Sequence, residues 1–116
     1  MNKLAQRLFD FSVRSLKLTS NFPNTPEFKV IRYQLAKSAT SSGANYEEAQ
    51  AGSSRADFTN KIRIALREMR ESNYWLRTVK EVYQNDYDDS GLDLLIQESK
   101  ELKFILGAII TKMRKQ

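Results

Sequence analysis

The stretch that decides the fold is residues 58–83, FTNKIRIALREMRESNYWLRTVKEVY. Along it, apolar or small residues return at alternating spacings of four and three, which is the heptad rhythm of helices packed in a bundle. These positions are Phe58, Ile62, Ala65, Met69, Ser72, Leu76, Val79 and Tyr83. The strict alternation of apolar and polar residues that is typical of a strand does not occur. The stretch therefore predicts one long amphipathic helix.

The same rhythm occurs in further segments on both sides of this stretch. The first has Leu4, Leu8, Phe11, Ser15, Leu18 and Phe22. The second has Phe28, Ile31, Leu35, Ser38, Ser42, Asn45 and Ala49. The last has Leu92, Leu95, Ser99, Leu102, Leu106, Ile109 and Met113. We call all these positions the seam, and they predict an all-α, left-handed supercoiled four-helix bundle.

Turn and cap residues separate the helices. Thr25 and Pro26 begin the second helix, because proline lacks the N–H that a first helical turn leaves unpaired. Gly52 ends that helix in the left-handed conformation, and Ser54 with Asp57 caps the third. We predict a single domain, residues 1–116, with helices at 3–21, 26–51, 55–85 and 91–114. The short linkers make consecutive helices antiparallel, up-down-up-down.

Composition excludes several classes of function. The chain has no cysteine and no histidine, so it offers no disulfide, no thiolate or imidazole metal ligand and no imidazole base. It has 19 Lys and Arg against 14 Asp and Glu, and Asp86, Asp88, Asp89 and Asp93 are clustered. The remainder is strongly basic, which suits either polyanionic partners or a solvated helix face. No signal-peptide core or membrane-spanning apolar run is present, so we expect a cytoplasmic protein without a membrane partner.

Small residues are concentrated in the second helix, and they predict close packing against a neighbouring helix. The positions are Ala39, Ser42, Gly43 and Ala44. The alternative, a glycine-rich phosphate-binding loop, requires a preceding strand and a Lys-Ser or Lys-Thr pair after the last glycine. Neither is present.

Carboxylates on the helices provide the weak case for an enzyme. Glu68 and Glu71 form an E-x-x-E pair, and a di-iron bundle would need a Glu-x-x-His in addition. An acid–base pair of carboxylates remains open, but ion pairing with Arg67 or Arg70 is the simpler interpretation. We therefore expect no catalytic residue, no metal site, no cofactor and no small-molecule substrate.

A stripe of arginines on the third helix is the main candidate for a binding surface. Its members share one face, opposite the seam, and we call them the arginine stripe: Arg63, Arg67, Arg70, Tyr74 and Arg77. Arginines bind phosphates in a bidentate manner, and an interleaved tyrosine can stack on a base. The alternative is a solvated face, salt-bridged to Glu71 and Glu81.

Large apolar residues outside the seam predict self-association. They make the apolar face of each helix wider than the interior of one bundle requires, although a single bundle can bury some of these side chains. The candidate interface residues are Phe9, Leu16, Ile64, Trp75, Val82, Phe104 and Ile110.

The central sequence resembles a known family. The resemblance is carried by residues 37–49 (KSATSSGANYEEA), 64–68 (IALRE) and 74–76 (YWL), with Ser54, Asp57, Phe58, Lys61 and Glu71. This pattern resembles the 23S rRNA-intervening sequence proteins, which are four-helix bundles. The resemblance implies a ring-like homo-oligomer, typically a pentamer, similar to the basic accessory variability protein of diversity-generating retroelements, which works with a reverse transcriptase and its RNA. It implies no catalytic residues.

Two hypotheses for function follow. The first is a non-enzymatic, oligomeric bundle that binds RNA, DNA or a ribonucleoprotein partner through its basic surface. The alternative is a homo-oligomeric scaffold or adaptor that binds another protein and has no nucleic-acid role.

Overall fold

The computed structural model describes residues 2–52, 54–83 and 90–115. Within them the chain forms four α-helices and no strand, which confirms the all-α prediction. The helices are α1 (Lys3–Thr19), α2 (Pro26–Ala49), α3 (Arg55–Val82) and α4 (Ser90–Arg114). Of the clustered aspartates, Asp86, Asp88 and Asp89 lie outside the described residues.

The predicted caps are present, but several helices are shorter than predicted. The Thr25 and Ser54 side chains each accept a hydrogen bond from a backbone N–H of the first turn, at 3.2 Å. The first three helices end two, two and three residues before the predicted positions, at Thr19, Ala49 and Val82. Past α1 and α2 the backbone changes to tighter i→i+3 hydrogen bonds, whereas Tyr83 past α3 still donates to Val79, four residues earlier. Past α2, Gly52 has a φ of 90°, the left-handed conformation expected of a terminator.

Each helix packs against two others, so the bundle has a square cross-section. α1 contacts α2 and α4, and α3 contacts α2 and α4, whereas no Cα atoms of the diagonal pairs come within 8 Å of each other in the described helices. The most extensive contact joins α2 to α3. The α1/α2 side of the bundle is therefore opposite the α3/α4 side.

The seam forms the core, as predicted. Its central members, among them Phe11, Leu35, Met69 and Leu102, are fully buried. Seam residues near the ends, such as Phe58 and Met113, are only half-buried, because the bundle has no further layer there.

Three hydrogen bonds join buried polar side chains of the core to a neighbouring helix, whereas the buried Ser15 Oγ has no partner among the described residues. The Ser38 and Ser72 hydroxyls are 2.8 Å apart and joined by a hydrogen bond. Ser42 Oγ donates to the backbone carbonyl of Ala65 at 2.7 Å, and Asn73 Nδ2 donates to Ser99 Oγ at 2.8 Å. Burying such groups costs little when each has a partner, so these pairs let small side chains occupy the core and draw the helices together.

Candidate nucleic-acid interface

The arginine stripe lies on the solvent-facing side of α3. Its four arginines and Tyr74 are all exposed, as the spacing predicts. The two members nearest the C-terminal end of α3 are held in place by neighbours. Arg77 Nε donates to Asn73 Oδ1 at 2.9 Å, and the guanidinium carbon of Arg77 is 5.9 Å from the centroid of the Tyr74 ring. Asn73 is itself anchored to α4 through Ser99.

The other three arginines of the stripe, Arg63, Arg67 and Arg70, have no ion pair with any acidic residue that the structure describes. The predicted alternatives, pairing of the stripe with Glu68, Glu71 or Glu81, do not form within the described helices. The positive charges of Arg63, Arg67 and Arg70 are therefore available to a partner.

Two other cations of the bundle are paired with acidic residues. Arg7 on α1 pairs with Glu98 at 2.6 Å and with Glu101 at 3.1 Å, and the hydrogen bond to Glu98 is the main cause that raises the pKa of Arg7. Lys61 Nζ donates to Asp57 at 2.9 Å, and this bond raises the pKa of Lys61. Arg63, Arg67 and Arg70 thus place three unpaired positive charges on the outer face of α3.

A groove runs beside the stripe, between α3 and α4, and we call it the basic groove. It has a volume of about 700 Å³ and is lined by apolar side chains, among them Leu66 and Phe104. Three arginines also line it: Arg63, Arg70 and Arg114. Sequence patterns on single helices could not predict this site, because its residues come from two helices.

A second groove lies between α1 and α2, and we call it the acidic groove. It has a volume of about 400 Å³ and an apolar lining that includes Phe9, Val13 and Leu16. Glu47 and Glu48 also line it. The pattern of small residues in α2 was the signal for this groove, since Gly43 lies in its lining.

The small residues of α2 pack closely at most of the predicted positions. Ala39, Ser42 and Gly43 are buried, and a Cβ added at Gly43 would lie 3.4 Å from both Cβ and the carbonyl oxygen of Leu8. The prediction for Ala44 is wrong, because that residue is exposed. It follows Gly43 by one residue and so points about 100° away from the contact with α1.

The predicted interface residues differ in exposure. Phe9, Leu16, Val82 and Phe104 are exposed, and Phe104 most of all at 78%. The prediction that Ile110 is free for an interface is wrong, since only 5% of it is exposed. Ile110 lies one turn after Leu106 and is buried, while the neighbouring Ile109 is half-buried and also packs against the core.

The other two predicted interface residues, Ile64 and Trp75, are half-buried. Three exposed apolar residues were missed: Val30, Tyr33 and Leu94. They too lie outside the seam, so the same criterion applied to α2 and to the start of α4 would have found them.

Other kinds of site are not seen in the described part of the chain. It contains no group of three or more acidic side chains placed to hold a metal ion. No described helix combines the length and apolar character needed to cross a membrane.

The fold and its surface define a class of protein: a basic four-helix bundle with an unpaired arginine face. The family model for 23S rRNA-intervening sequence proteins matches residues 2–108, so the chain belongs to that family. A solved structure from Bacteroides thetaiotaomicron, described as a protein of unknown function from the S23 ribosomal protein family, is 33% identical with a TM-score of 0.80. The match covers 92% of this chain and 97% of that one. No curated protein matches the chain.

Proposed function

We propose that this protein is a non-enzymatic, oligomeric bundle that binds nucleic acid, alone or in a ribonucleoprotein, through the arginine stripe of α3. The single observation that carries the proposal is that three neighbouring arginines on one face of α3, Arg63, Arg67 and Arg70, have no acidic partner among the described residues. Three adjacent, solvated guanidinium groups on a rigid helix are suited to a polyanion.

The length of the stripe fits this partner. Arg63 and Arg77 are 14 residues apart in the sequence. This separation covers roughly 21 Å of helix axis at ~1.5 Å per residue, or about six phosphates of one duplex strand at ~3.4 Å each. Tyr74, which is 53% exposed beside Arg77, adds an aromatic face for an unpaired base.

Assembly is part of the proposal. The exposed apolar residues Phe9, Leu16 and Phe104 support contacts between copies, and the resemblance to the accessory variability protein of diversity-generating retroelements favours a ring of five. A ring repeats the stripe on every copy, so weak contacts with individual phosphates add through multivalency.

We also propose the up-down-up-down, antiparallel topology with a left-handed supercoil. Hydrogen-bonded pairs support it, because residue numbers rise along one helix as they fall along the next. The pairs are Asn2–Tyr46 and Ser12–Ala39 for α1 and α2, Ser42–Ala65 and Ser38–Ser72 for α2 and α3, and Asn73–Ser99 and Arg55–Met113 for α3 and α4. The heptad seam supports the supercoil.

The test is a binding titration of RNA and DNA at several salt concentrations, with parent protein and Arg67→Gln. Glutamine keeps the helix propensity and removes the charge. We expect Arg67→Gln to bind several-fold more weakly at every sequence, because phosphate contacts carry no base information. The slope of log K against log salt should also become shallower, by about 0.9 for each lost phosphate contact.

The matched control is Arg14→Gln, which removes one exposed arginine from α1, outside the stripe. It should leave affinity and salt slope close to those of the parent. Equal losses in both variants would mean that only net charge matters and that the stripe is not the contact surface.

The alternative function, a scaffold that binds another protein, is favoured by the exposed Val30 and Tyr33 on α2, which lie in neither groove. It becomes the better explanation if the parent protein binds neither RNA nor DNA even at low salt.

A further inference from the structure

The two grooves carry rims of opposite charge. In the acidic groove, Glu47 and Glu48 stand beside the apolar side chains of Phe9 and Leu16, which are 50% and 45% exposed. Neither glutamate forms an ion pair in the described part of the chain. The pKa of Lys61 is raised mainly by its hydrogen bond to Asp57, and the charge of Glu48 acts in the same direction. The acidic groove thus combines an apolar floor with unpaired negative charge.

The basic groove combines an exposed apolar side chain with unpaired positive charge. Phe104 projects beside it with 78% of its surface exposed, and Arg63, Arg70 and Arg114 line it without an acidic partner among the described residues. An exposed phenyl ring that lines a groove together with unpaired cations matches a groove that has an apolar floor and unpaired anions.

The positions of the grooves prevent one copy from pairing them internally. The acidic groove lies between α1 and α2, the basic groove lies between α3 and α4, and these are opposite sides of the square bundle. Only another molecule can bring one against the other.

We infer that the basic groove of one copy binds the acidic groove of the next copy. Phe104 packs against Phe9 and Leu16 of the neighbour, while Arg63 and Arg70 face the neighbour's glutamates. A contact that joins two different surfaces is heterologous, so it generates a closed ring when the rotation between copies closes and a filament when it does not.

This inference rests on the oligomeric assembly in the proposed function and says which faces build it. It also divides the arginine stripe into two parts. Arg63 and Arg70 belong to the contact between copies, whereas Arg67, Tyr74 and Arg77, which lie outside the basic groove, stay accessible to nucleic acid. In the assembled protein the length left for phosphates is therefore Arg67 to Arg77, roughly 15 Å of helix axis at ~1.5 Å per residue.

The test uses charge reversal on each rim of the full chain, with mass measured after nuclease treatment. One variant is Arg63→Glu with Arg70→Glu, the other is Glu47→Lys with Glu48→Lys, and a third carries all four changes. Either double variant places like charges across the contact, which should weaken assembly about 100-fold. The fourfold variant restores opposite charges and should assemble again.

Mixing provides a second measurement that does not depend on the fourfold variant. In an equimolar mixture of the two double variants, each reversed rim finds an opposite rim on the other chain, so assembly should return on mixing as alternating chains or even-numbered rings. A ring of five cannot alternate, because it would keep one contact between rims of like charge. This recovery also demonstrates that both double variants are folded.

The outcomes separate the two proposals. A parent protein that stays at 13.4 kDa at all concentrations overturns the assembly in the proposed function. An oligomeric parent whose mass is unchanged in both double variants overturns the choice of faces alone. Loss of assembly without recovery in the fourfold variant or in the mixture also overturns it, because the two grooves would then not face each other.

Discussion

Replacement of Phe11 by alanine is expected to lower the free energy of unfolding by about 3–5 kcal/mol, the usual cost of deleting a buried phenyl ring. Phe11 is fully buried in the core, with 0% of its surface exposed. A loss of this size is a large part of the ~5–15 kcal/mol that stabilises a typical domain. The midpoint of thermal unfolding, followed by circular dichroism, should fall by roughly 10–25 °C.

The control is the same substitution two residues earlier on the same helix. Phe9 is 50% exposed, so Phe9→Ala should change the free energy of unfolding of dilute protein by less than about 1 kcal/mol. Because Phe9 lines the acidic groove, its loss should instead reduce the assembled fraction in concentrated protein. Equal destabilisation by both substitutions would contradict the arrangement of α1.

Replacement of Ala65 by leucine tests the contact between α2 and α3. Ala65 is 0% exposed, and its carbonyl accepts a hydrogen bond from Ser42 Oγ at 2.7 Å, so the two backbones approach closely there. The added carbons have no space without displacing a helix, and overpacking of this kind costs about 1–3 kcal/mol or more. Urea unfolding at one fixed protein concentration should detect the loss as a lower transition midpoint.

Ala56→Leu is the matched control, because Ala56 is an exposed residue of the same helix. Leucine and alanine both favour helices, so this change should leave the midpoint nearly unaltered. The close contact would be disproved if the two variants unfolded at the same urea concentration.

The core was accessible to prediction from sequence because burial in a bundle is periodic. Phe11, Leu35 and Met69 are inward for the same reason that they recur at heptad spacing. Heptad spacing predicts the ends of the helices less well, since a helix terminates through local hydrogen bonds that apolar spacing does not encode. Near the end of α4 both Ile109 and Ile110 contact the core, although the spacing assigns only Ile109 to it.

The candidate site was predictable only in part. Exposure of the arginine stripe follows from the spacing on one helix, whereas the ion pairs depend on which helix lies beside it. Arg7 pairs with Glu98, 91 positions away, while Glu71, close in sequence to Arg67 and Arg70, pairs with neither. The basic groove likewise needs Arg63 and Arg114 from two helices, and no pattern along a single helix relates them.

The hydroxyl pairs of the core have a consequence for alignment along the bundle axis. A heptad pattern of apolar residues is nearly unchanged when one helix slides past another by seven positions, so apolar packing alone specifies the axial alignment weakly. Sliding α2 by one heptad would remove Ser38 from Ser72 and place Ile31 or Asn45 there. An orphaned buried hydroxyl costs about 1–3 kcal/mol, so each such pair penalises the slipped state. Hydrogen-bonded serines such as Ser38 and Ser72 thus favour one axial alignment of the helices over alignments that apolar packing alone would make nearly as stable.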